Sequence, residues 1–592
     1  MRTVTGPTDR VVVIGAGLSG LAAALYLAGA GRQVTVLERA DHVGGRVGRY
    51  RFDDYEIDSG ATVLTLPELI DDALAAVGHD RASLASPLRI RKLAPSYHAR
   101  FADGSDIRVF ADPDEMAAEV ARTCGPGEAQ RYRGLREWLA RIYRAEFGEF
   151  MDTNFDSPLD MVRLPGKRAA LIELVRLGGF GRLGPRVRGF LRDPRLTRLF
   201  TFQALYAGLP PDRALAVYGA IPHMDTSLGV YFPEGGMRAV AEAMAQALVA
   251  AGGRLELGAE VTGIDNDGPP ATGVRVQVRY IRPIGVSCSR VSSRSGVTVE
   301  RTNGCPPMIA PPASAPTTAP IGPVAPGSHN AGGRAGRIRL ADGTARDCDA
   351  VVVTADLGDI DRFGLRRRRG LRASPSAVVA HGTIPADVAA RWPIQAHHTI
   401  DFGAAWHRTF AEIAAPRGGR LMSDPSLLLT RPALSDPGLY LDRADGRYEP
   451  FSLLAPCPNL DSAPLDWTML GPAYLRELLG VLEQRGYRGI AEHFRLDHLD
   501  TPQTWLEQGM LSGTPFSAAH LFRQTGPFRP GNLPRGSDNV VIAGCGTTPG
   551  VGVPTALLSG KLAANRIIGT PERREDETPR TIGKAPREQA VN

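Results

Sequence analysis

The chain has 592 residues, long enough for more than one core, with 43% apolar and 22% charged residues, an ordinary balance for a folded protein. Its formal charge of +6 fits nucleic acid, an anionic membrane face or neither, so the location of the charge must decide. Cys124, Cys288, Cys305, Cys348, Cys457 and Cys545 are scattered without C-x-x-C spacing, which argues against a disulfide framework or a zinc site and for a reducing cytoplasm. The polar start shows no secretory signal, and no run approaches the roughly 18 to 20 apolar residues of a spanning helix.

In chain order, Val11-Val12-Val13-Ile14 reads as a buried strand that breaks into Gly15-Ala16-Gly17-Leu18-Ser19-Gly20. A helix from Leu21 to Ala28, ended by Gly29 and Gly31, and a strand Val34–Leu37 complete one βαβ unit. Tyr97 to Phe110 alternates around Asp103-Gly104, the pattern of a hairpin. Asp112 to Leu209 is mostly helical, Gly235-Gly236 opens a helix to Ala251, and Arg254 to Ile264 is expected to be a strand pair followed by a strand Val274–Tyr280. Arg282 to Gly333 is rich in Pro, Ser and Gly and is expected to be disordered, a long hairpin tip grown out of a sheet. Strands Arg337–Leu340 and Ala350–Thr354 follow. Short strands are expected at 376–383, 398–402, 426–430 and 450–456, with a helix near Ala473 to Gln484. No internal repeat is visible.

The last folded stretch answers the first. Val540-Val541-Ile542 is again an apolar run that breaks into Gly544, Gly546, Gly550 and Gly552 and continues into a helix near Val553. A chain that begins and ends on strand, glycine turn and helix start can fold both ends onto one long dinucleotide. In the first turn Gly15, Gly17 and Gly20 make G-x-G-x-x-G, whose helix amino terminus offers N–H donors to a pyrophosphate through residues such as Leu18 and Ser19. Glu38 ends the second strand where a carboxylate holds ribose hydroxyls. The alternative is a glycine-rich turn with a surface Glu.

Glu38-Arg39-Ala40-Asp41-His42-Val43-Gly44-Gly45-Arg46 resembles the E-x(5)-G-G-R signature of the flavoprotein superfamily of amine oxidases, protoporphyrinogen oxidases and carotenoid desaturases. The resemblance implies FAD, with Gly44 and Gly45 on a second side of the pyrophosphate and Arg39 and Arg46 nearby. It implies a flavin-facing turn at Asp58-Ser59-Gly60-Ala61-Thr62 and an adenine-side contact at Val261. Gly544, Gly546, Gly550 and Gly552 would contact the ring end, and the helix dipole at Val553 would favour flavin reduction. Cys545 is read as a small spacer, with a covalent flavin link as the alternative.

Phe200-Thr201-Phe202-Gln203-Ala204-Leu205-Tyr206-Ala207-Gly208-Leu209, Gly229-Val230-Tyr231-Phe232-Pro233-Glu234-Gly235-Gly236-Met237 and Phe528-Arg529-Pro530-Gly531-Asn532 resemble the bacterial and fungal type phytoene desaturases, and the likeness runs from about Arg10 to Arg566 outside the insertion. Cys545-Gly546-Thr547-Thr548 departs from that family, which usually carries Ala-Gly-Thr-His there. The resemblance implies an acyclic C40 carotenoid substrate, hydride transfer to flavin N5 and reoxidation by oxygen or a quinone. A carotenoid isomerase, a ketolase and a non-catalytic polyene-binding flavoprotein are the alternatives. Asp160 and Asp225, carboxylates in apolar text, are the candidate proton acceptors, with capping or surface roles as the other reading. His397-His398 is read as structural, and no metal site is expected.

Between Arg163 and Arg198 ten Lys or Arg face only Glu173 and Asp193, a net of +8, interleaved with Leu, Ile, Val and Phe. Such a segment can lie on an anionic membrane surface, here on the cytoplasmic face; nothing supports nucleic acid. The expected architecture is α/β. A Rossmann-type FAD-binding domain is built from 1–95, 251–281, 334–357 and 501–569. A helical membrane-associating substrate region spans 96–250, a mixed α+β substrate domain spans 358–500, the insertion is 282–333, and a loose tail is 570–592.

Overall fold

The computed structural model describes residues 1–163, 165–266 and 333–569. The expected strand Val274–Tyr280, the insertion apart from Gly333, and the tail lie outside the described residues.

The valine-rich runs assemble into a five-stranded parallel sheet in the order Val540–Ile542, Ala350–Val353, Arg10–Ile14, Gln33–Leu37, Arg254–Glu256. Val11 to Ile14 and Ala350 to Val353 are buried throughout, as expected for parallel strands covered on both faces. Both chain ends therefore enter one sheet, separated by the Ala350–Val353 strand. The helices that follow them, Leu18–Gly29 and Val553–Ile568, pack closely: a Cβ on Gly560 would meet the Ser19 carbonyl oxygen at 2.2 Å. Helix Arg238–Ala250 lies against the first of them and buries Val240, Met244 and Leu248.

The expected strand pair in Arg254 to Ile264 is corrected. Arg254–Glu256 is the edge of the parallel sheet, while Val261–Asn266 pairs antiparallel with Ala335–Leu340 in a separate three-stranded sheet. The glycine turn at Gly258 separates the two, and Ala259 donates its N–H back to the Glu38 carbonyl at 2.8 Å. The two strands that bracket the insertion thus pair with each other.

Apart from two small antiparallel pairs, Arg49–Arg51 with Glu56–Asp58 and Ile90–Lys92 with Tyr231–Pro233, the remaining strands form one eight-stranded sheet. Its main path runs 495–500, 376–385, 446–457, 427–430, 398–402, 97–101, 106–109, and Leu441–Arg443 pairs beside it on Gly446–Cys457. All its pairs are antiparallel except His398–Phe402 with Tyr97–Phe101, so the early hairpin and the late strands share a single sheet. Helix Trp467–Gln484 covers a core of Val378, Leu453, Trp467, Leu478 and Tyr487. This helix starts six residues before the expected Ala473 because Asp466 caps it and it tolerates Pro472.

The described part of 113–199 is mostly helical, dominated by Pro113–Cys124 and Pro126–Glu146. The second helix continues into a wider turn over Phe147–Met151 with π-type hydrogen bonding.

Candidate active site

The first glycine turn is held by its own strand neighbours. Gly15 donates to the Leu37 carbonyl at 2.8 Å, and Gly44 donates to the Ala16 carbonyl at 3.0 Å, so the Gly15–Gly20 and Gly44–Gly45 loops lie side by side. Gly20 must be glycine for the fold, because a Cβ there would stand 1.9 Å from the Gly15 carbonyl oxygen. Gly17 is different. Its φ of −74° and ψ of 174° suit any residue, and a Cβ would come no closer than 3.8 Å to the Gly44 carbonyl oxygen. The protein leaves that space beside two glycine loops and a helix amino terminus, where Leu18 and Ser19 begin the helix. The space fits a pyrophosphate.

Glu38 lies at the end of the second strand, with one carboxylate oxygen accepting from the Ala16 N–H at 2.7 Å and the other from the Ala40 N–H at 2.9 Å. An ionised carboxylate has about four acceptor sites, so ribose hydroxyls can still reach it. Arg39 reaches away to the Gln508 carbonyl at 3.0 Å. Val261 is buried at the start of its strand against the same core as Val12, Ile14 and Leu37.

Arg46 gathers three distant segments. Its guanidinium pairs with Asp356 at 2.5 Å and touches Cys545 Sγ, and its carbonyl accepts from the Ala61 N–H at 3.2 Å. Gly60 allows this approach, since a Cβ would lie 2.1 Å from the same Arg46 oxygen. Burial pushes the Cys545 thiol above its ordinary pKa although Arg46 pulls the other way, so it stands as a neutral contact residue. Asp58 caps helix Arg238–Ala250 through the Met237 N–H at 2.8 Å, and burial lifts its pKa to about 6. Thr62 accepts at its carbonyl from His398 at 3.1 Å and lines a cavity with Asp58, Phe232, Gly236, Thr430 and Ser452.

The second glycine turn is anchored by groups the sequence reading did not single out. Arg529 is buried and donates to the carbonyls of Thr547 at 2.9 Å, of Ala518 and Gln524 at 3.3 Å, and of Cys545 at 2.5 Å. Only its place in the Phe528–Asn532 run hinted at it. Gly544 donates to Ser559 Oγ at 3.0 Å, and Gly546 packs on Leu357. Gly552 precedes the helix that begins at Val553. Against Gly550 lies His520, whose Cε1 is 2.2 Å from where a Cβ would stand. His520 Nδ1 meets the Tyr218 hydroxyl at 3.0 Å; its Nε2 is buried with no partner among the described residues. Burial and then Arg529 hold this imidazole well below its ordinary pKa, hence neutral. An orphan ring nitrogen beside a glycine turn and an open Gly17 cradle at the other end both fit a long dinucleotide.

The structure does not bring the two candidate carboxylates together. Asp160 accepts from the N–H groups of Asp156 at 2.8 Å and Ser157 at 2.9 Å, which lower its pKa, and it faces Arg163 at 3.6 Å. That is a turn-capping carboxylate. Asp225 is buried under the Tyr97 hydroxyl at 3.3 Å and Gln203 Nε2 at 3.5 Å; burial raises it well above its ordinary value despite these donors. His397 and His398 are buried within the mixed sheet, and burial lowers both. Among the described residues no group of three or more His, Cys, Asp or Glu is placed to hold a metal.

The flavin containing amine oxidoreductase profile matches residues 18–286 and 474–568. A phytoene dehydrogenase of Streptomyces griseus is 46% identical over 575 residues, covering 96% of this chain and 97% of its own. A zeta-carotene-forming phytoene desaturase of Myxococcus xanthus is 26% identical, covering 94% of each chain. Among solved structures, an oxidoreductase from Methanosarcina mazei covers 93% of this chain and 99% of its own at a TM-score of 0.51 and 15% identity. Putrescine oxidase bound to putrescine covers 95% and 100% at a TM-score of 0.51 and 14% identity; both show the fold alone. With two glycine cradles on one parallel sheet and a close relative along nearly its whole length, the chain belongs to the flavin containing amine oxidoreductase family and, within it, to the phytoene desaturases.

Proposed function

We propose that this enzyme dehydrogenates phytoene, or a close acyclic C40 polyene, toward lycopene-type products of carotenoid biosynthesis. The observation that carries the reading is the 46% identity to a phytoene dehydrogenase over 96% of the chain. FAD, when bound, supplies a two-electron acceptor that takes a hydride from carbon. The chain's own groups bind and orient it. Gly15, Gly17, Leu18, Ser19, Gly20, Gly44 and Gly45 take the pyrophosphate, and Glu38 and Val261 the adenosine side. Arg46, Gly60, Ala61 and Thr62, with the turn from Gly544 through Gly546, Gly550 and Gly552 to Val553, hold the ring end, while Arg39 is turned to the Gln508 carbonyl.

The substrate is a membrane-soluble hydrocarbon, and one face of the helical region suits its delivery. Leu159, Val162, Ile172, Val175 and Phe180 are exposed large apolar side chains within one short stretch, interspersed with exposed Arg163, Arg168 and Arg176. This supports docking on an anionic membrane surface; the cytoplasmic face and reoxidation by oxygen or a quinone belong to the same proposal. Half of the basic-apolar pattern has another use: Leu174, Leu177, Leu183, Val187 and Leu191 are buried, and Lys167 points inward with its Nζ 4.8 Å from the centre of the Phe155 ring. Among the described residues no helix is long and apolar enough to cross a membrane.

The test is anaerobic mixing of lipid-supplied holoenzyme with phytoene. Flavin bleaching with products that have lost hydrogen in pairs is expected; oxygenated products, or a substrate of unchanged mass, would overturn the reading.

A further inference from the structure

Hydride loss from one carbon must be matched by proton loss from its neighbour, so the site needs a base within an apolar cavity. Asp160 is spent on capping, and both oxygens of Asp225 have donors. Glu146 is unlike either. It ends helix Pro126–Glu146, where the backbone widens into the Phe147–Met151 turn, a local irregularity often found at functional sites. Its Oε2 is enclosed and has no hydrogen-bond partner among the described residues. Other enclosed polar atoms without partners among the described residues include the Tyr143 hydroxyl one turn back on the same helix, His223 Nδ1 on the Ala220–His223 helix packed against it, and His520 Nε2. The Tyr143 and His223 rings are 5.1 Å apart.

A short path links Glu146 to the flavin-ring turn. Tyr218 is close enough for the Glu146 charge to weigh on its phenol, its hydroxyl meets His520 Nδ1 at 3.0 Å and also touches Thr525 Oγ1, and His520 rests on Gly550. The widened turn itself packs against helix Pro165–Arg176, part of the exposed apolar patch at which the substrate would enter. The helix that ends at Glu146 packs against both Ala216–Gly219, which carries Tyr218, and Pro165–Arg176, which carries part of the exposed apolar patch.

We propose that Glu146 is the proton acceptor of the dehydrogenation, with Tyr218 and His520 as positioning residues that tie it to the Gly550 turn. The proposal rests on the dehydrogenase reading above. One carbon gives its hydride to FAD, and the neighbouring C–H bond breaks toward Glu146. Its electron pair becomes the new C=C π bond, and the Glu146 carboxylate becomes a carboxyl that later releases the proton to water. Burial supports the role by lifting the Glu146 pKa to about 8, near an operating pH. Burial alone sets that shift. Tyr218 and Tyr143 are raised by burial and stay neutral, His520 and His223 are lowered and stay neutral, and Glu68 bears on Tyr143. Lys167, on the helix packed against the widened turn, is engaged by Asp160, Glu149 and Asp156.

The experiment compares wild-type holoenzyme with Glu146→Gln, Glu146→Asp and Tyr218→Phe on phytoene-loaded liposomes. Glu146→Gln should lose at least about 100-fold in turnover at unchanged FAD content. Glu146→Asp should recover most of that loss with a displaced pH midpoint, and Tyr218→Phe should shift the midpoint without abolishing turnover. The wild-type rate should rise with pH through about 8, as the carboxylate forms. A second readout needs no turnover. A carboxyl whose folded pKa is raised gives stability that is full below its unfolded pKa and lost as pH rises through the folded value. The Tm of Glu146→Gln should therefore fall less than that of the wild type between about pH 6 and about pH 9. Turnover of Glu146→Gln within about 3-fold of wild type would overturn the proposal. If Glu146→Gln does not fold, a wild-type pH midpoint in Glu146→Asp does so instead. A wild type that yields no dehydrogenated product sinks the dehydrogenase reading itself, a different result from an active wild type with an equally active Gln variant.

Discussion

Gly17 and Gly20 stand three residues apart and answer to different constraints. A side chain at Gly20 would collide with the Gly15 backbone at 1.9 Å, and no rotamer relieves a clash of Cβ with a carbonyl oxygen. Gly20→Ala should destabilise the apoprotein by ~3 kcal/mol or more, seen as a lower Tm without FAD. A side chain at Gly17 meets only space that the protein does not use. Gly17→Val should keep the apoprotein Tm within a degree or two and lose FAD, measured as bound flavin after purification. Equal flavin content in Gly17→Val and wild type would remove the pyrophosphate from that cradle. The G-x-G-x-x-G spacing was legible in the sequence, because each glycine answers to a local turn or a near neighbour. The ion pair of Arg46 with Asp356, 310 residues away, and the grip of Arg529 on four carbonyls were not, because they join segments with no shared pattern.

At the scale of elements, the helix Pro165–Arg176 is amphipathic in an unusual sense. Leu174 is 3% exposed, while its neighbour Val175 is 60% exposed and Ile172 is 46% exposed. The inward residues hold the helical layer, where Trp138 Nε1 donates to the Leu177 carbonyl at 3.0 Å. The outward ones serve nothing within the described residues. Ile172→Asp with Val175→Asp should leave the Tm nearly unchanged and sharply reduce flotation with anionic liposomes, whereas Leu174→Asp should unfold the layer. Arg168→Gln with Arg176→Gln should remove about 1 kcal/mol of binding per charge and make binding less dependent on salt. Flotation equal to wild type in the double Asp variant would remove the proposed membrane contact from this helix. The interleaved charge was readable from composition, but which apolar residues face in or out was not. The stretch breaks at Gly178, Gly179 and Gly181 into separate helices, so no single period runs through it.

For the whole molecule, the decisive fact is that strands from both chain ends join one sheet without touching each other. The Ala350–Val353 strand lies between Arg10–Ile14 and Val540–Ile542, so the two glycine turns open at the same edge but on opposite sides of a central strand. Each half of the site was visible as strand, glycines and helix start. The order of strands was not, because a run of valines pairs equally well with any other. Nor was the single eight-stranded sheet, which unites residues 97–109 with residues 376–500. This layout makes a prediction about coupling. A dinucleotide that spans both turns must order both at once, although more than 500 residues separate them in the chain. Hydrogen exchange compared with and without FAD should show protection rising together at 15–20, 44–46 and 544–553, with little change in the 446–457 and 376–385 strands. The three protected segments should follow the same FAD titration curve, because one ligand occupies them all. Protection confined to the amino-terminal loops would mean that the Gly544–Gly552 turn does not hold the ring end, and the assignment of His520 and Glu146 to that end would fall with it.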